Sequence, residues 1–384
     1  MRLAILNLTA GGLSGGYYKY LTNLIPRLAG HEDISSLLIA IPKGIKTDGW
    51  IEKYPSIEWL ELKSKIWWFS AIGKKEKNII INFKPDVIFI PTSRFWHIAN
   101  VPTVNMLRNM EPFIPNFKGD SVREMLKKVV QRQITCKAIN QADHTIAVSN
   151  YVKEYLVDSL NISEKKISMI YHGLNMKDAL GGDVGPASIP KEWCQNFLLT
   201  CGSIRPSRGL EDVINALIEL KSQNLNMHLV IAGQTTPGMK KYHDNLKNKI
   251  QLGGISNNIC WTGNLNENEM NWCFRNCKFF VMTSRIEACP NIALEALSNG
   301  AISVVSDSLP LPEFFSDCAF YYTAGNKTSL AEALRKMLNL SKDEKNTMRK
   351  KSEKRSLIFS WDITAEKTIE LLKSVKTQKK GWGG

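Results

Sequence analysis

In the stretch TSRIEACPNIALEALSNG (residues 283–300), Glu287 and Glu295 are separated by seven residues, with Pro290 and Asn291 between them. Proline suits the first turn of a helix, so Glu287 is expected in the loop ahead of a helix and Glu295 about one and a half turns inside it. Both carboxylates then face one crevice, with the N–H groups of Asn291 and Ile292 directed at an anion between them. A carboxylate is a good acceptor for sugar or ribose hydroxyls. Glu295 is flanked by Ile292, Leu294, Ala296 and Leu297, and a charge on so apolar a helix requires a partner.

A second cluster is CGSIRPSRGLEDVINAL (201–217), which places Arg205 and Arg208 between a strand and a helix start. Two guanidiniums beside the positive end of a helix dipole suit a diphosphate; the plainer alternative is a pair of solvated loop arginines. The loop GGLSGG (11–16) follows the first apolar run and opens a helix. It reads either as a loop whose backbone approaches a phosphate or as a tight strand-to-helix turn. It is not a G-x-G-x-x-G, and VIFIPTSRFWH downstream supplies no ribose-binding acid, which argues against a nicotinamide-dependent oxidoreductase. No D-x-D occurs, and the eight cysteines have no paired C-x-x-C spacing, so no metal site is expected and the thiols read as small buried hydrophobes.

These residues need elements to hold them, and 384 residues favour two domains. Apolar runs alternate with helical patterns along the chain, which implies an α/β fold with doubly wound parallel sheets. Strands are expected at RLAILNL (2–8), SSLLIAI (35–41), DVIFIP (86–91), PTVNML (102–107) and HTIAVS (144–149), with Ser149 capping the next helix. GGDVGPASIP (181–190) has three Gly and two Pro and reads as a hinge. A second alternation follows, with strands at NFLLTCGS, MHLVIAG, ICWTG, KFFVMTS and AISVVSD. The division expected is a Rossmann-like domain over 1–185, a linker over 186–195, a second Rossmann-like domain over 196–358, and a helix with a basic tail over 359–384 that crosses back to the first. Ligands of such sheets bind at the carboxyl ends of the strands, so chemistry is expected in a cleft that the two domains face.

With these motifs the chain resembles a retaining family 4 glycosyltransferase of the GT-B fold. The resemblance rests on GGYYKYLTNLIPRL, AVSNYVKEYL, KISMIYHGLN, CGSIRPSRGLEDVINAL, SRIEACPNIALEALSNG, SDSLPLPEFFSDCAFYY and FSWDITAEKTIELL, and it spans nearly the whole chain. It implies a metal-independent hexosyltransferase without a cofactor, taking a nucleoside-diphosphate sugar and a glycan or lipid-linked acceptor in bacterial envelope polysaccharide assembly (lipopolysaccharide O-antigen, capsule or exopolysaccharide). By the same resemblance Glu295 accepts from the ribose, Glu287 from the donor sugar on its reacting face, and Arg208 binds the diphosphate. Gly15 and Gly16 match the family's glycine pair and by that resemblance bind the donor, with Lys19 where a basic residue is common.

Two departures matter. Many members carry an arginine where this chain has Ser203, and Arg205 is the candidate to compensate. Many also carry a histidine after the strand corresponding to PTVNML, where this chain has Arg108 and Asn109. Asn109 can contact the sugar but cannot act as a general base, and His97 and His172 are the nearby alternatives. These departures keep open a noncatalytic partner of an active transferase.

The formal charge of +14 comes from 50 Lys and Arg against 36 Asp and Glu, which suggests an anionic partner. Residues 61–84 carry 6 basic against 2 acidic side chains, and 118–137 also carry 6 against 2, a joint excess of +8. KSKIWWFSAIGKKEK (63–77) flanks Trp67, Trp68 and Phe69 with lysines. SVREMLKKVVQRQITCKAI puts Val122, Met125, Leu126, Val129 and Val130 on one helix face and Arg123, Lys127, Lys128 and Arg132 on the other. Both suit an anionic membrane surface beside a lipid-carried acceptor; the alternatives are a solvated loop and an ordinary amphipathic helix. Nucleic acid is disfavoured, because no aromatic stripe, helix-turn-helix or zinc-finger pattern accompanies the charge. No apolar run reaches the ~18–20 residues of a membrane span, and MRLAILNLTAGG is too short for a signal-peptide core. A cytoplasmic protein, peripheral on the inner face of the cytoplasmic membrane, is expected.

Overall fold

The computed structural model describes residues 1–9, 15–43, 57–66, 69–114, 122–174, 184–235 and 237–380. The chain divides into two compact units: unit 1 comprises Met1–Phe113, Leu126–Gly173 and Ser360–Gly384, and unit 2 comprises Ile114–Met125 and Leu174–Phe359.

Unit 1 contains, in chain order, β1 (Arg2–Leu6), α1 (Gly15–Ala29), β2 (Ser36–Pro42), β3 (Ile57–Leu62), the short hairpin β4 (Ser64–Ile66) and β5 (Phe69–Ala71), and α2 (Lys74–Phe83). It continues with β6 (Val87–Ile90), β7 (Thr103–Leu107), α3 (Val122–Gln141, whose first four residues are grouped with unit 2), β8 (His144–Ala147), α4 (Asn150–Glu154) and β9 (Ile167–Met169). Its seven-stranded sheet runs in the order β3-β2-β1-β6-β7-β8-β9, and every neighbouring pair is parallel. Parallel strands buried on both faces need unbroken apolar runs, and residues 3–6 and 87–90 are fully buried. One face packs Ala4, Leu6, Leu38, Ile88 and Ile90 against Ile80 and Phe83 of α2. Ser149 caps α4 by accepting the Val152 N–H at 3.2 Å.

Unit 2 contains β10 (Phe197–Cys201), α5 (Leu210–Ser222), β11 (His228–Ala232), α6 (Lys240–Leu252), β12 (Ile259–Gly263), α7 (Glu267–Asn276) and β13 (Phe279–Met282). Then follow α8 (Asn291–Ser298), β14 (Ser303–Ser306), α9 (Leu311–Phe315), β15 (Ala319–Tyr322), α10 (Lys327–Leu338) and α11 (Lys342–Ser356). Its sheet order is β12-β11-β10-β13-β14-β15, again all parallel. The core joins Leu198 and Val281 to Val213 and Leu217 of α5 and Leu334 of α10. Both units are Rossmann-like. Strand order reverses between β1 and β6 in the first sheet and between β10 and β13 in the second, the place where the loops of such sheets splay apart.

Residues 186–195 differ from the expected linker. Ile189 and Trp193 are buried, and the Trp193 ring stacks 4.0 Å from that of His228. The longer stretch of unit 2, Leu174–Phe359, absorbs this segment, because its apolar anchors outweigh its two prolines. The last helix, α12 (Trp361–Lys380), belongs to unit 1. Trp361 is fully buried there, edge-on to Tyr20 at 5.7 Å, and Lys376 pairs with Asp86 at 2.9 Å.

Candidate active site

The order reversal in unit 2 sends the chain out of β10 and β13 side by side, and the two loops are stitched together. Thr283 Oγ1 donates to Arg208 O at 2.6 Å, and Arg285 N donates to Ser207 O at 2.8 Å. Two glycines permit the approach. Gly209 sits at φ +60, and a Cβ there would lie 2.4 Å from Thr283 O. Gly202, at φ +120, leaves room for Ile292 Cδ1 and Arg208 Nε, which a Cβ would meet at 3.1 and 3.3 Å. The turn Pro206–Arg208 between them starts from Arg205, whose backbone is extended and whose side chain is half-buried.

Arg208 is thereby aimed at the loop after β13. Its Nη1 donates to Ser284 Oγ at 3.1 Å and to the carboxylate of Glu287. Both side chains are largely withdrawn from water, at 16% and 13% exposure, so this ion pair is screened little. Nη2 makes no hydrogen bond among the described residues.

A buried charge pair holds the loops from below. Asp212, in the first turn of α5 and 3% exposed, accepts from Arg285 Nη1 and Nη2 at 2.5 and 2.6 Å. It also accepts from the Tyr322 hydroxyl at 2.8 Å and the Gly325 N–H at 2.9 Å. Burial works against the Arg285 charge, but the bound Asp212 carboxylate outweighs it and raises the guanidinium pKa. Burial and then the same carboxylate push the Tyr322 hydroxyl up, so it stays a donor.

Pro290 is the N-cap of α8, so Glu287 lies in the loop before the helix and Glu295 is its fifth residue. Ala293 and Leu294 donate back to Pro290 O, which puts the amides of Asn291 and Ile292 at the open end of the helix. The Cys201 thiol at the end of β10 is pushed well up, first by burial, then by the charge of Glu295, with Arg208 pulling the other way. A thiol so raised stays neutral and is not a nucleophile. Unit 2 therefore gathers Arg208, Ser284, Glu287, Ile292 and Glu295 around one strand end. Sequence reasoning missed the Arg285–Asp212 support; the available signal was an acid in the first turn of α5 beside Leu210, Val213 and Ile214, all buried.

The other expected site residues lie in unit 1. Gly15 and Gly16 open α1 and are exposed; the rest of the glycine loop, 10–14, lies outside the described residues. Asn109 is exposed, and its Oδ1 accepts the Glu111 N–H at 3.0 Å. Arg108 lays its guanidinium 3.9 Å over the Tyr17 ring. His97 stacks on Phe95 at 5.4 Å, and His172 is buried against Tyr20 and Trp361 at 5.0 and 6.2 Å. Trp67 and Trp68 lie outside the described residues, and only the backbone of Phe69 is described. In α3, Val122, Leu126, Val129 and Val130 are exposed, beside exposed Arg123, Lys127 and Arg132.

Comparison with known proteins identifies the family and the fold. The chain is 26% identical over 175 residues to the uncharacterized glycosyltransferase YqgM of Bacillus subtilis, 44% of each chain. It is 22% identical over 243 residues to the O-antigen chain mannosyltransferase RfbU of Salmonella typhimurium, 62% of this chain and 63% of that protein. The alignments thus span about half of these curated relatives, between 44% and 63% of their length. Among solved structures, HepE (Alr3699) of Anabaena in complex with UDP superposes with a TM-score of 0.73 at 17% identity, over 97% of this chain and all of that one, a likeness of fold. The family model described as Glycosyltransferase Family 4 matches residues 15–178, and the one described as Glycosyl transferases group 1 matches residues 187–355. One model falls in each Rossmann-like unit, and the chain belongs to the family 4 glycosyltransferases of the GT-B fold.

Proposed function

We propose that this chain is a retaining, metal-independent hexosyltransferase moving a sugar from a nucleoside-diphosphate sugar to a glycan or lipid-linked acceptor in bacterial envelope polysaccharide assembly. The observation that carries this reading is the meeting of Arg208, Ser284 and Glu287 where β10 and β13 diverge, next to the open end of α8. Transfer breaks the bond between the anomeric carbon and the diphosphate oxygen and forms one to the acceptor hydroxyl oxygen. The bonding pair leaves with the diphosphate, so negative charge grows there and positive charge on the sugar. Arg208 and Arg205, with the amides of Asn291 and Ile292, are the preorganised positive groups that stabilise it.

A guanidinium has five N–H donors, and among the described residues Arg208 engages only Nη1, so it can hold Glu287 and a phosphate together. In this reading Glu295 accepts from the ribose and Glu287 from the sugar hydroxyls. Asn109, its Oδ1 already engaged, uses its NH2 on the sugar. The acceptor proton passes to the departing phosphate oxygen on the same face of the sugar, so no side-chain base is required. The names of RfbU and of the UDP-bound HepE support a nucleotide-sugar donor, and mannose is the first sugar to try. The exposed apolar and basic residues of α3 support peripheral attachment to an anionic cytoplasmic membrane face. No described helix is long and apolar enough to cross a membrane.

A panel of nucleoside-diphosphate hexoses tests this. The true donor raises the melting point by mass action, and turnover in saturating EDTA keeps the donor's anomeric configuration. An inverted product refutes retention, and activity lost in EDTA and restored by magnesium refutes metal independence.

A further inference from the structure

The turn that carries Arg205 and Arg208 is held from two sides. Thr283 and Arg285 stitch it to the loop after β13. On the other side the pairing of β10 with β11 runs on past the ends of both strands: Gly202 N donates to Ala232 O at 2.8 Å and Ile204 N to Gln234 O at 3.0 Å, and Ile204 bridges Thr235 in parallel. Arg205 comes directly after Ile204. Where the turn stands therefore depends on where residues 233–235 stand.

Those residues lie beyond the sheet. Among the described residues, one side-chain bond ties them to the body of unit 2: Thr235 Oγ1 and Nδ1 of His243, the fourth residue of α6, are 2.9 Å apart. The imidazole is itself fixed. It stands edge-on to Trp261 of β12 at 4.6 Å, and the adjacent Tyr242 is buried with its hydroxyl on Glu211 in the first turn of α5. The start of α6 is thus anchored to two other elements and serves as a post for the loop.

The residue type on that post is informative. His243 Nε2 is closed off from water and has no hydrogen-bond partner among the described residues, a cost that an apolar ring would not incur. Packing on Trp261 alone would favour phenylalanine. What the imidazole adds is a hydrogen-bonding atom, Nδ1, aimed at the loop. Burial and then the Lys247 charge lower its pKa against the pull of Asp244, so the ring is neutral near pH 7.

We infer that His243 is a positioning residue of the diphosphate site: through Thr235 it holds the loop after β11, and through the bridge to Ile204 it holds the turn of Arg205 and Arg208. It acts through these residues and not on the substrate. The purpose of the link rests on the reading of Arg208 as a diphosphate ligand, but the link from α6 to the turn stands without it.

Two substitutions in the full chain separate the bond from the packing. His243→Phe keeps a ring on Trp261 and removes the bond, whereas His243→Asn puts an amide atom where Nδ1 was and keeps it. Hydrogen exchange of the peptide spanning 202–209, read by mass spectrometry, needs no ligand: His243→Phe is expected to speed it at least about threefold, and His243→Asn to leave it near wild type. With inorganic pyrophosphate in the calorimeter, His243→Phe is expected to bind about three- to tenfold more weakly, the loss of one neutral hydrogen bond, and His243→Asn as wild type. Thr235→Val cuts the same bond from the other end without touching α6, so it should reproduce the His243→Phe effect, with no further loss in the double variant. Exchange unchanged in both His243→Phe and Thr235→Val overturns the link; so do additive losses, or equal losses in His243→Phe and His243→Asn, which reduce His243 to packing. Faster exchange with unchanged affinity overturns the positioning role. If Arg208→Ala leaves pyrophosphate affinity at the wild-type value, the diphosphate reading fails, and exchange alone decides the link.

Discussion

Asp212→Asn is the most searching test of the unit 2 scaffold, because one carboxylate there receives four donors. The substitution keeps the shape, removes the charge and turns an NH2 group toward Arg285, Tyr322 or Gly325. Arg285, only 17% exposed, is left with an uncompensated charge, and breaking a buried pair from one side costs about 3–5 kcal/mol. For a unit of this size, with about 2–4 °C per kcal/mol, the unit 2 transition should fall by about 6–20 °C. Calorimetric melting of the full chain measures it, with the unit 1 transition as internal reference. In the double variant Asp212→Asn/Arg285→Met the loss should be clearly smaller than the sum of the two single losses, since the stranded charge is gone. Additive losses, or a shift below about 2 °C for Asp212→Asn, would refute the claim that this pair holds the Arg208 loop.

Three further outcomes are expected. Arg208→Ala and Glu295→Ala should each weaken nucleotide-sugar binding by about 1–3 kcal/mol, and calorimetry showing wild-type affinity in both would remove them from the site. His144 is pushed down to about 4 by burial, then by the Lys166 charge, so below its usual 6.5 the unfolded chain takes the proton first. Its contribution to stability is complete above pH 6.5 and fades as pH falls toward 4; denaturant curves should show wild type losing more in this window than His144→Gln. Replacing Lys127 and Lys128 in α3 by glutamate should abolish most salt-sensitive flotation with anionic vesicles, whereas failure of the wild type to float at low salt would refute membrane attachment.

Much of this was legible in the sequence where a local rule and the tertiary fold agree. Glu287 and Arg208 each follow an apolar run that is too regular to be anything but a buried parallel strand, and sheet topology then brings the two loops together. The Arg285–Asp212 pair was not legible, because its partners are 73 residues apart and only the β10–β13 pairing makes them neighbours. β3 was missed for a different reason. As an edge strand it exposes Glu58, Trp59 and Glu61, and this mixture hides the apolar run. Residues 186–195 misled because the glycines that suggested a hinge lie ahead of them, at 181–185, whereas Trp193 decides where the segment packs.

The return of α12 to unit 1 has a consequence for how the protein is made. Unit 2 is complete when Phe359 has been synthesised, but unit 1 still lacks Trp361, Ile369 and Leu372, all buried in its finished form. At about 5–20 residues per second, the earlier unit waits many seconds with an apolar groove along α1 while the later one folds. The order of completion is the reverse of the order of synthesis. Ribosome-stalled chains ending before Trp361 should therefore carry a protease-resistant second unit and a cleavable first, and a frameshift near the 3′ end of the message would disable the half encoded at its 5′ end.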